Sequence, residues 1–219
     1  MNLYERLKND ESIRTYITRA DESLKVLGYT EHSFAHVTKV AETANYILKT
    51  MGYSEKECEL ALAAGYLHDI GNLVNRSEHS QSGAVMAFRI LDRYGIPAED
   101  IATIVCAIGN HDEGTGVPVN AVAAALILAD KSDVRRSRVR NIDPASFDIH
   151  DRVNYSVKES ELKINRDRTI IKLKLFIDTQ KGSIMDYFEI FLERMILCRK
   201  AAETLGLEFK LIINEQQLI

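Results

Sequence analysis

The sequence predicts a mainly α-helical bundle with a small C-terminal α+β region of β-β-α-β order. Two observations predict it. Between residues 3 and about 131, apolar residues recur at helical spacing, and Gly28, Gly52, Gly71 and Gly95 punctuate the pattern. After about residue 141 the character changes, and residues 161–165 and 169–177 alternate in polarity around Asn165-Arg166-Asp167, as a hairpin does. The expected division is residues 1–145 for the helical part and 146–219 for the C-terminal region.

The first helix is expected over 3–27, with Leu3, Leu7, Ile13, Ile17, Leu24 and Leu27 on one stripe. A second runs from about 31 to 51 and stops at Gly52. Ser54-Glu-Lys-Glu57 is a capping-box signature and opens a third helix ending at His68. Residues 72–78 are polar and read as a loop; helical spacing resumes over 79–94. Pro97 suits the first turn of the next helix, which reaches about Asn110. Residues 120–131 are apolar all round and predict a buried helix. Asn141 to Ser160 reads as irregular. Ser183 caps a helix to about Leu205, Gly206 ends it, and Leu207–Asn214 reads as a last strand.

The 219 residues suffice for one large domain, or one with an appendage. A net charge of -4 gives no case for a nucleic-acid partner. The three cysteines have neither zinc-knuckle nor disulfide-framework spacing, which fits reduced thiols and a cytoplasmic setting. The N-terminus has no apolar signal core, and no run is long enough to span a membrane.

The stretch Ala64-Gly-Tyr-Leu-His68-Asp69-Ile-Gly71 carries an imidazole and a carboxylate at the end of an apolar run, where a charge is costly unless paired or bound to metal. Five of the six histidines lie between residues 32 and 111. His36 sits on the inner stripe of its helix, His79 begins a helix and His111 ends one. Asp130 ends an apolar helix, against the dipole, and needs a partner. Imidazole and carboxylate ligands suit divalent Mn, Fe, Ni or Zn, and a bundle can aim them at one point. Capping and core roles for each histidine fit the spacing equally well. His150, in the polar linker, reads as surface. His32, one turn before His36, is placed to touch substrate, to support a carboxylate, or to cap. The run Lys131 to Arg140 holds five cations against Asp133; Lys131 and Arg135, one helical turn apart, are the candidates for phosphate contact, and a solvated face is the alternative.

These residues resemble the HD-domain metal-dependent phosphohydrolases. The matching stretches are His36-Val-Thr-Lys-Val-Ala, His68-Asp69, His79-Ser-Gln-Ser-Gly-Ala, Gly109-Asn-His111-Asp-Glu-Gly, and Leu128-Ala-Asp130-Lys. The resemblance spans about residues 31–140. It implies that His36, His68, Asp69 and Asp130 bind one metal, and that His79 and His111 share a second with a bridging Asp69. Two divalent ions per chain (Mn, Fe, Ni, Zn or Mg) are then expected. The implied activity is hydrolysis of a phosphate ester or anhydride through a metal-bound hydroxide, with Asp69, Lys131 and Arg135 at the reaction centre. The implied partner is a phosphorylated small molecule, a nucleotide or dinucleotide. The His79 and His111 contexts look most like the branch that acts on diadenosine tetraphosphate. One departure is Asn72, where many members have Lys. The tail after residue 150 matches no known member; it is expected to contribute to homo-oligomer assembly or to substrate access and to supply no metal ligand. A ligand-sensing or scaffolding module with weak turnover is the alternative function.

Overall fold

The computed structural model describes residues 1–141 and 143–218. The helical part comprises α1 (Leu3–Asn9), α2 (Glu11–Val26), α3 (Phe34–Met51), α4 (Glu55–Leu67), α5 (His79–Arg93), α6 (Ala98–Gly109) and α7 (Ala121–Ser132). Helix α7 packs against α3, α4 and α6, and every residue from Val122 to Ala129 is buried. Full burial of each Leu or Ile there contributes about 1.5–3 kcal/mol. A charge in place of Leu126 would therefore break the bundle at its centre.

The expected first helix is two. Asp10 takes an extended conformation and its carboxylate accepts the backbone N–H groups of Ser12 and Ile13, capping α2. Leu7 and Ile13 are both buried on either side of the break, which keeps the apolar stripe continuous through it. Leu27, placed on that stripe from the sequence, is exposed. The expected capping box is present: Ser54 Oγ accepts the Glu57 N–H, and the Glu57 carboxylate accepts the Ser54 N–H. Residues 70–73, expected in part as loop, form a turn of 3₁₀ helix.

The stretch expected to be irregular contains α8 (Ile149–Ser156), capped by the Asp148 carboxylate on the Asp151 N–H. Strand β1 (Val157–Ile164) therefore starts earlier than expected. It pairs antiparallel with β2 (Ile170–Ile177), which pairs parallel with β3 (Glu208–Ile213); a short β4 (Gln216–Gln217) adds antiparallel to β3. Helix α9 (Ile184–Thr204) makes the crossover between β2 and β3. Ile171, Leu173 and Leu175 of β2 and Phe209, Leu211 and Ile213 of β3 supply the buried side of the sheet. Helix α9 also packs on α7, so the appended region shares the core of the bundle. Among the described residues, no helix is long and apolar enough to cross a membrane.

Candidate metal centre

Two glycines bring the site together. A Cβ on Gly65 of α4 would lie 2.5 Å from the Ala41 Cα, so its absence lets α4 press against α3 and brings His68 near His36. A Cβ on Gly71 would lie 2.0 Å from the His79 carbonyl oxygen and 2.4 Å from the Gly83 nitrogen. The start of α5, and His79 with it, thus rests directly on the turn after His68-Asp69.

Six side chains from five segments converge. His36 Nε2 lies 3.4 Å from Asp69 Oδ2 and 3.4 Å from Asp130 Oδ1. His68 Nε2 lies 3.3 and 3.7 Å from the same two oxygens. The other oxygen of Asp69, Oδ1, is 3.5 Å from His79 Nε2, which is 3.2 Å from His111 Nε2. All four imidazoles are buried.

Each of the four rings is oriented from behind. His36 Nδ1 lies 2.8 Å from Asp133 Oδ2; His68, His79 and His111 present Nδ1 to the carbonyls of Gly65, Arg76 and Ile108 at 2.8, 3.1 and 2.6 Å. Since those partners only accept, each Nδ1 carries the proton and each Nε2 offers a lone pair to the centre. His36 Nε2, His68 Nε2 and Asp69 Oδ2 are buried without any hydrogen-bond partner. His79 and His111 face each other with two acceptors at contact distance. Such an arrangement is costly unless a cation lies between the atoms. Bonds of about 2.1 Å to a divalent ion put neighbouring ligand atoms roughly 3.0–3.4 Å apart, close to the separations here. The residues therefore fit divalent metal.

The electrostatics agree. Burial works against charge on His68, but Asp69 and Asp130 outweigh it and raise its pKa to about 10. The field that attracts that proton attracts a metal ion equally. Burial also disfavours charge on Asp69 and Asp130. His68 and His36 outweigh it at Asp69, and Lys131 with the imidazoles outweighs it at Asp130, so both carboxyls lie well below the usual range. Burial, reinforced by His68 and Lys131, holds His111 well below the usual imidazole range, so this ring is neutral.

The cluster opens into a cleft of about 340 Å³. Lys131 lines it, with Nζ 2.8 Å from Asp130 Oδ2 and 2.5 Å from Glu113 Oε2, and so supplies the partner that Asp130 requires. Arg135 does not reach the cleft. Helix α7 stops at Ser132 and Arg135 is extended, so the two residues are not a helical turn apart. Its guanidinium meets Asp133 and Glu31 and lines a separate groove with Arg136 and Lys158. Arg138 of the same run turns inward instead, with Nη1 on the Asp133 carbonyl oxygen. His32 lines the cleft, its Nδ1–H donating to the Thr30 carbonyl oxygen at 2.7 Å. His150 is exposed, as expected, and stands at the edge of the cleft.

Sequence reasoning missed several residues. Asp133, the carboxylate behind His36, reads in the sequence only as the lone acid of a basic run; its position three residues after Asp130 is the available signal. Arg76, Phe191 and Arg194 line the cleft from outside the motif region or between its parts. Asn72, where many members of the family have Lys, is buried and its Nδ2 donates to the Asp69 carbonyl oxygen and Oδ1 at 2.9 and 3.1 Å, fixing that carboxylate.

A helical bundle with a histidine–aspartate cluster of this kind defines a candidate metal-binding class, and the chain belongs to the HD domain family, whose sequence profile matches residues 33–152. An uncharacterized protein of Methanocaldococcus jannaschii is 25% identical over 207 residues, covering 82% of this chain and 78% of that protein. Ribonuclease Y of a Sulfurovum species is 30% identical over 137 residues, 58% of this chain; the match spans a quarter of that enzyme's length, 25%. A solved structure of a predicted HD superfamily hydrolase from an uncultured Thermotogales bacterium aligns with a TM-score of 0.44 at 23% identity, over 62% of this chain and 75% of that one.

Proposed function

We propose that the protein is a phosphohydrolase with a binuclear metal centre, acting on a phosphate ester or anhydride of a nucleotide-sized substrate. His36, His68, Asp69 and Asp130 hold one ion, and Asp69, His79 and His111 the other. The observation that carries this reading is the split of Asp69: Oδ2 faces His36 and His68 while Oδ1 faces His79. Divalent ions, when bound, lower the pKa of water and polarise a phosphoryl oxygen.

The chain's own residues do the rest. Four imidazoles and two carboxylates leave two divalent ions with net positive charge, which suits a phosphate. Asn72 and Asp133 hold Asp69 and His36 in place, so little reorganisation is needed as charge develops. Lys131 and Arg138 add positive potential on one wall, and Tyr29 and Leu27 give an apolar rim where a base can rest. The cleft volume suits a small molecule. On this reading residues 1–145 carry the reaction and residues 146–219 finish the cleft.

Hydrolysis of an aryl phosphate and of a nucleotide panel, with Mn added, tests the reading. His68→Ala and Asp69→Ala should abolish turnover in folded protein, and wild-type rates in either at full metal loading would refute it. Ribonuclease Y among the relatives favours a second reading, cleavage of an RNA phosphodiester at the same site. Short oligoribonucleotides in the panel separate the two.

A further inference from the structure

The phosphohydrolase reading leaves one wall of the cleft without a role, and that wall comes from α9. Arg194 lines the cleft beside Asp130 and Lys131. Its guanidinium carbon lies 4.4 Å from the centroid of the Phe191 ring, and its Nε donates to Glu113 Oε1 at 2.7 Å. One face and one edge of the group are thus held. Among the described residues, Nη1 and Nη2 make no hydrogen bond. Of the other cations of the cleft, Lys131 and Arg138 are more fully engaged, while Arg76 has no such close carboxylate partner to hold its fork. Lys131 is clamped between Asp130 and Glu113. Arg138 uses Nε and Nη1 on the Glu31 and Asp133 carbonyl oxygens. Arg76 has Nη1 within 3.4 Å of both Asn72 Oδ1 and His79 Nε2.

We infer that Arg194 is a substrate-binding residue whose free Nη1 and Nη2 take oxygens of the substrate phosphate, so that the C-terminal region completes the active site. This rests on the phosphohydrolase reading. A guanidinium matches two phosphate oxygens at once, and an ammonium does not. Stacking on Phe191 and the Glu113 contact hold the fork before substrate arrives, so little side-chain freedom is lost on binding. Glu113 joins Arg194 to Lys131, which joins Asp130; the fork is therefore indexed to the metal cluster through three charged side chains.

The rival role is structural: Arg194 only ties α9 to the loop carrying Glu113. Arg194→Lys separates the two, because an ammonium still pairs with Glu113 but lacks the fork. The variant is compared with wild type for melting, metal content, KM, kcat and binding of inorganic phosphate measured by calorimetry. We expect unchanged folding and metal content, with KM and the phosphate dissociation constant both raised roughly ten- to a hundredfold, and kcat changed less. Arg194→Ala should lose more and regain activity when free guanidinium is added. An active wild type whose Arg194→Lys variant keeps wild-type KM and phosphate affinity overturns the role of Arg194 alone. A metal-loaded wild type that neither hydrolyses phosphate esters nor binds phosphate overturns the phosphohydrolase reading itself.

Discussion

Asp133→Asn should weaken metal binding without touching any proposed ligand. The Asp133 side chain is fully buried; its Oδ2 accepts from His36 Nδ1 at 2.8 Å, and its Oδ1 meets Lys39 Nζ at 2.7 Å and Arg135 Nε at 2.9 Å. Asparagine keeps the shape and removes the charge. If its oxygen faces His36, its NH₂ points at two cations. If it flips, its NH₂ faces Nδ1 and drives the ring proton to Nε2, where no metal can then bind. Either arrangement lowers the basicity or the availability of His36. Losing a partner behind a metal-bound histidine typically costs 10- to 100-fold in affinity, about 1.4–2.7 kcal/mol. Fold stability should fall too, by on the order of 3 kcal/mol, because Arg138 and Arg135 lose a buried counter-charge. Competition with a metal-chelating dye, run where circular dichroism shows both proteins folded, measures the affinity. Lys39→Ala is the control, since it leaves the Oδ2 contact intact and should bind metal nearly as wild type. A folded Asp133→Asn variant with wild-type affinity would refute the reasoning.

Three further outcomes are expected. His79→Ala or His111→Ala should reduce bound metal from about two ions per chain to about one; elemental analysis showing a single ion in wild type and in both variants would leave a mononuclear site. Gly71→Ala should destabilise the fold and release the second ion before the first, because the new methyl collides with the backbone at His79 and Gly83, which cannot yield as a side chain tip does; unchanged melting would contradict this. For Glu113, burial raises the carboxyl pKa, but Lys131 and Arg194 outweigh it and hold it well below the usual range. Its stabilising contribution is full above the ordinary carboxylate range, about pH 4–5, and is lost as pH falls through the depressed folded value. Glu113→Gln should therefore lie furthest below wild type near neutral pH and converge with it in strong acid; a gap in urea midpoint that ignores pH would count against the ion pair.

The parts of the site legible in the sequence were those marked by local rules. His68-Asp69 and Asp130 stood out as polar groups at the ends of apolar helices, and His79 and His111 as residues flanking helix breaks. Arg135 falls one turn from Lys131 only if the helical period continues past Ser132, where α7 ends. Arg138 carries no local signal, because only the turn after α7 decides which cation of the run points inward. Arg194 and Phe191 lie more than sixty residues after Asp130, and no local pattern links them to it. The fold shows the same division. The capping box at Ser54 and the cap at Ser183 are readable, whereas Asp10 is hidden by an apolar stripe that continues across it, and α8 by its polar composition. The docking of α9 on α7 is a contact between distant stretches that no local pattern announces.

The crossover through α9 also sets an order of events during synthesis. The residues of the histidine–aspartate cluster all precede Lys131, while Arg194 takes its place only when α9 is pinned by β3, which ends at Ile213. At roughly 5–20 residues per second, a ribosome takes several seconds or more to go from Asp130 to that strand. On the proposed reading, the emerging chain would already carry every metal ligand during that interval, while the cleft is still open on the side that α9 lines. Synthesis of the ligand set and closure of the cleft are thereby separated in time, and a truncation between them would leave the histidine–aspartate cluster without its α9 wall.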